Sequence, residues 1–98
     1  MKLSMFATNQ QMLEHYVREI PALEKAVQTA EESYNKAVTD TSVRKNWCDM
    51  NNIAMDNDEA WEHQLKWMRG NTDHQKRRLK KHLKKIAEIR AIVEAEAV

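Results

Sequence analysis

The chain has 98 residues, of which 32% are charged and 6% aromatic, with a single glycine and a single proline. So few turn formers exclude a sheet or loop-rich fold, and the length allows one small domain, so an all-α protein of long solvated helices is expected. The net charge of +1 is unevenly spread: residues 1–40 carry four basic and six acidic side chains, residues 41–70 four and five, and residues 71–98 eight and four.

Cys48 has no second cysteine to pair with, so nothing asks for an oxidising compartment. The apolar run at residues 3–7 is too short for a secretory leader, and no stretch approaches the roughly 20 apolar residues of a membrane span. The expectation is a soluble, cytoplasmic protein.

Residues 1–7 hold Leu3, Met5 and Phe6 without a helical continuation, which reads as a lead-in able to contact a partner. Thr8 with Gln11 three residues later forms a capping-box pattern, and the first helix is predicted over 9–38. Its apolar positions are Leu13, Tyr16, Ile20, Leu23, Val27, Ala30, Tyr34 and Ala37, alternating steps of three and four. Pro21 removes an amide donor and restricts Ile20, yet the seam keeps its phase across it, so a kink in one continuous path is expected.

Four residues that favour local side-chain hydrogen bonds, Thr39 to Ser42, mark a tight turn in which Asp40, Thr41 or Ser42 caps the next helix. The second helix is predicted over 43–69, with Val43, Trp47, Met50, Ala54, Trp61, Leu65 and Met68 inward. Asp56-Asn57-Asp58 is its weak point, where Asp58 could cap a fresh start. Gly70-Asn71 reads as a left-handed stop, and Thr72 with Gln75 repeats the capping box. The third helix is then predicted over 73–96, with Leu79, Leu83, Ile86, Ile89 and Val93 inside. Short links make neighbours antiparallel, so the expected architecture is three long helices in a helical hairpin or slender bundle with coiled-coil-like seams.

In the run from Lys76 to Lys85, every residue other than two leucines and a histidine is basic. With the leucines inward, Lys76, Lys80 and Lys84 together with Arg77 and Lys81 line the outside as a positive stripe about 15 Å long. Such a stripe suits a nucleic-acid backbone, an acidic protein surface, or a solvated face that balances the acidic first helix. Trp67 is out of phase with the seam and sits on a helix flank, where it either stacks on a base, anchors an interface or fills a groove against the third helix. Trp47 and Trp61 fit the core register. Of the six methionines, Met5, Met12 and Met55 fall outside the seams and suggest an apolar contact patch near the N-terminus.

The four histidines lack the paired Glu-x-x-His pattern of a helical two-metal site, and His15–Glu19 and Glu59–His63 read as helix-surface pairs. No metal or cofactor is expected. One glycine forbids a phosphate loop, no serine lies in a nucleophile elbow, and Cys48 has no local histidine to activate it. No catalytic residue is assigned, and a non-enzymatic protein is expected.

A small chain of capped helices with a basic helix and no catalytic motif resembles the accessory proteins with which bacteriophages bind and redirect host machinery, such as anti-RecBCD nuclease modulators and anti-CRISPR proteins. The resemblance is one of build, without a shared motif, so it assigns no residue a role. It implies a host-factor modulator acting in the host cytoplasm. The leading expectation is a binding module that docks on a larger protein assembly, one that processes nucleic acid, through the basic third helix, Trp67 and the apolar Met5 and Phe6. Two alternatives stay open: direct, sequence-independent nucleic-acid binding through Lys76, Arg77, Lys80, Lys81 and Lys84, and a structural coiled coil in which the first helix pairs with its copy in a homodimer.

Overall fold

The computed structural model describes residues 8–97, and all their regular structure is helical: α1 (Asn9–Arg18), α2 (Ile20–Thr39), α3 (Thr41–Asn51) and α4 (Asp58–Glu96). Met5 and Phe6, expected as contact residues, lie outside the described residues. The helices form three rods, because only Glu19 separates α1 from α2 and its own dihedrals are helical (φ −83°, ψ −12°). The path therefore breaks just ahead of Pro21, which occupies the first turn of α2, where its missing amide has no intrahelical partner to lose.

The α1–α2 rod and α4 run antiparallel along their length. Asn9 Nδ2 donates to Glu96 Oε1 at 2.8 Å at the open end, Lys76 pairs with Glu31 at 3.3 Å further along, and Arg69 donates to the Tyr34 hydroxyl at 2.7 Å toward the closed end. Two stripes meet in this hairpin. On the first rod every expected seam residue from Leu13 to Ala37 is half-buried or buried. On α4 the stripe runs Trp61, Leu65, Met68, Thr72, Gln75, Leu79, His82, Ile86, Ile89 and Val93, unbroken steps of four and three with every member half-buried or buried.

Continuity of that stripe corrects the predicted stop at Gly70-Asn71. Gly70 has no positive φ, and α4 passes through it for 39 residues. One glycine costs a helix about 1 kcal/mol relative to alanine, whereas Ile86 and Ile89, each 4% exposed, contribute about 1.5–3 kcal/mol apiece by burial along the same rod. Packing outweighs propensity. Thr72, read as a cap, instead donates from Oγ1 to the Met68 carbonyl at 3.1 Å inside the helix.

The predicted second helix over 43–69 is likewise corrected, since it is broken where it was expected only to be soft. Asn52 adopts the left-handed conformation (φ 56°, ψ 46°), and the Ile53 amide donates to the Cys48 carbonyl at 2.9 Å, a Schellman-type ending with asparagine in the usual glycine place. Asn57 restarts the chain by accepting the Ala60 amide on Oδ1 at 3.0 Å, so Asn57 is the cap and Asp58 the first helical residue. Met50 and Ala54, expected inward, are exposed, Met50 by 86%.

The short α3 closes the hairpin. Asp40 caps it by accepting the Ser42 amide at 2.9 Å, as Thr8 caps α1 by accepting the Gln11 amide at 3.1 Å. Trp47 of α3 packs on the buried Trp61 with ring centroids 5.4 Å apart. Arg44 ties three parts together, donating from Nη2 to the Met55 carbonyl and to Asp58 Oδ1, both at 2.8 Å, with its guanidinium 5.9 Å from the Trp61 ring. Hydrogen bonding to Asp58 also raises the Arg44 pKa. Cys48, 1% exposed, fills the space beneath the loop.

The result measures 65 × 25 × 17 Å with a Cα radius of gyration of 19.9 Å, against about 13 Å for a compact domain of this length. Beyond the closed end the molecule is therefore two helices side by side, and flanks that a third long helix would cover in a bundle face solvent.

Candidate functional site

Two features on α4 lie outside the seam and touch each other. The first is the basic face. Arg77, Lys80, Lys81 and Lys84 are all exposed, and none forms an ion pair with a carboxylate among the described residues. His74 and Arg78 extend the same surface, and α4 has no acidic side chain from His74 to Ala87. Lys76 departs from the prediction: it turns to the flank facing α2 and pairs with Glu31, so it does not belong to the bare face.

His82, within the basic run, faces the other way. Where α1 ends, the Tyr16 carbonyl accepts the Glu19 amide at a long 3.3 Å, and His82 Nε2 donates to the same oxygen at 2.6 Å. A carbonyl can only accept, which assigns the proton of this contact to Nε2. The two rings also lie 4.9 Å apart. His82 thus takes the inner position assigned to Leu83 in the predicted stripe, and Leu83 is 45% exposed instead. Lys80, Lys81 and Lys84 are exposed on the outer face, where the sequence also placed them.

The second feature is an open groove of about 620 Å³ between α2 and α4 on the flank away from the Lys76–Glu31 pair. Its α2 side is formed by Ala22, Ala26, Thr29, Ala30 and Ser33, and its α4 side by Gln64, Trp67, Met68, Asn71 and Gln75. Trp67 stands 64% exposed at its edge, on the helix flank, and among the described residues no third long helix packs on it. Lys25 is the one charged residue of the lining. Trp67, His74 and Lys81 are seven residues apart and so share a line along α4, as do Asn71, Arg78 and Lys85. The groove therefore runs directly into the basic face.

No family model, curated protein or solved structure matches this chain.

What the arrangement can do is bind. It offers an aromatic anchor, an apolar trough and an uncompensated cationic strip, a combination suited to an anionic, partly apolar ligand. Among the described residues, no three His, Cys, Asp or Glu side chains come together as a metal site requires, and no helix is long and apolar enough to cross a membrane. Trp67 and the lysines stand out in the sequence, whereas the α2 side of the groove does not. Its signal was present as small residues at 22, 26, 29 and 33, each just beside a seam position.

Proposed function

We propose that this chain is a non-enzymatic binding module that docks on an acidic surface of a larger protein assembly through the basic face of α4. The observation that carries the reading is that Arg77, Lys80, Lys81 and Lys84 have no carboxylate partner among the described residues: the acidic first rod lies alongside, yet the ion pair it makes to α4 there engages Lys76. Four unpaired cations on one rigid helix would raise the rate of encounter with an anionic partner and set its orientation.

Co-purification tests it. Tagged wild-type protein should recover a stoichiometric partner from its host extract at low salt, and Lys80→Glu, Lys81→Glu, Lys84→Glu in one chain should lose it. A wild type without a stoichiometric partner, or a partner kept by the charge-reversed chain, refutes the proposal.

One observation favours a second reading, direct nucleic-acid binding: Trp67 shares a line with Lys81 and could stack a base while the cations neutralise phosphates. About five phosphate contacts on a single strand would give a log–log salt slope near −3.5. A flat salt response excludes it. The seam of α1 and α2 already faces α4 of its own chain, so pairing of that seam with a second copy would require α4 to be displaced.

A further inference from the structure

We infer that the groove between α2 and α4 receives an amphipathic helix of a partner protein, its apolar face covering Trp67 and its acidic residues lying along Arg78, Lys81 and Lys85. This rests on the docking reading above and names the element of the partner that is recognised.

Shape points to a helix. Over residues 22–33 the α2 wall presents alanine, threonine and serine apart from the flexible Lys25, so a third helix can approach within the 8–10 Å typical of packed helices with one long side chain to displace. The wall is about 17 Å long, three helical turns. Met68 and Ala30 give it an apolar floor, and Trp67 supplies the kind of large anchor that dominates interface energetics.

Charge selects the partner. The lining holds one cation and no anion, and along α4 it leads into His74, Arg78, Lys81 and Lys85 with no carboxylate interposed. A helix carrying acidic residues at the end that lies beyond Trp67 is attracted, and a basic one repelled. A nucleic-acid strand would find cations on the α4 side but only Lys25 on the other, over an apolar floor unsuited to phosphates. The remaining large exposed apolar residues of the helical hairpin are Val17, Val38, Leu83 and Ile92, none of which lines the trough, and self-association is therefore one outcome of the test.

The test uses the full chain and labelled synthetic peptides of about 20 residues, read by fluorescence anisotropy at low salt. One peptide has leucines at helical spacing and glutamates elsewhere; the second replaces the leucines by glutamine; the third replaces the glutamates by lysine. Oligothymidine of similar length is the fourth probe. The acidic amphipathic peptide should bind, and at least about tenfold more weakly to Trp67→Ala and to Ala22→Gln/Ala26→Gln, groove-filling changes at an exposed and a half-buried position whose folding is checked by circular dichroism. Equal binding of both acidic peptides, unaffected by Trp67→Ala, overturns the groove inference while leaving the basic-face reading intact. Failure of every anionic probe overturns both. Tighter, Trp67-dependent binding of oligothymidine assigns the groove to nucleic acid, and self-association abolished by Trp67→Ala assigns it to a second copy; either result overturns the inference.

Discussion

Gly70→Ala should raise the stability of this protein, and the sign of the effect decides whether α4 is one rod. Gly70 is exposed, has no positive φ, and lies 12 residues inside a 39-residue helix; a Cβ added there meets no atom within 4 Å. Alanine therefore gains the full helix-propensity difference, about 1 kcal/mol, with no steric cost. For a domain of this size that is about 4–8 °C in Tm, or roughly 0.5 M in the urea midpoint. Far-ultraviolet circular dichroism during thermal and urea unfolding measures both. If the chain turned at Gly70 in a left-handed conformation, the same change would lower Tm instead, because alanine resists positive φ. Gly70→Pro supplies the opposite arm: inside a continuous helix it removes an amide donor and clashes one turn back, costing about 3 kcal/mol or more. An unchanged or lowered Tm for Gly70→Ala would refute the continuous rod.

Other substitutions probe the remaining joints. His82→Leu leaves the Tyr16 carbonyl with only its long backbone bond, for a loss of about 1–3 kcal/mol in urea unfolding; combined with Pro21→Ala, whose restored amide bonds the Val17 carbonyl and relaxes the kink so that the Ile20 amide reaches Tyr16, the loss should shrink by at least about 0.5 kcal/mol, and strict additivity would break the link between histidine and kink. Trp67→Ala should change stability by no more than about 0.5 kcal/mol because the ring is 64% exposed, whereas Trp61→Ala, at 7% exposure, should cost about 3–5 kcal/mol; similar losses from both would mean that Trp67 is covered. Hydrogen bonds from the Ser42 hydroxyl and amide hold the Asp40 carboxyl below the usual aspartate range. A depressed folded value contributes stability above the unfolded value and loses it as pH falls through the folded one. The Tm gap between wild type and Asp40→Ala should thus persist from neutral pH down to about 4 and close only below it; a gap closing near neutrality would contradict the cap.

Much of this was readable before any coordinates. Helical content followed from one glycine, one proline and two stripes of alternating three- and four-residue steps, because that spacing buries one face of a helix and of nothing else. Thr8 as a cap, a cap within Asp40 to Ser42, a disturbance of the helix at Pro21 and the flank position of Trp67 each rest on interactions within a few residues, which the local sequence determines; that the disturbance divides α1 from α2 instead of bending one helix is seen only in the fold. Tertiary packing decided the rest. Gly70-Asn71 and Asn51-Asn52 are comparable local stop signals, and the winner is the one whose break costs less buried surface: a stop at Gly70 would interrupt the stripe that α4 lays along the first rod, while a stop at Asn52 folds Trp47 onto Trp61. In the same way Leu83 looks more inward than His82 until the kinked Tyr16 carbonyl, 66 residues away, is placed beside it. A carbonyl loosened in one helix is satisfied here by a side chain that folding brings from another, and Leu83 is left exposed in exchange.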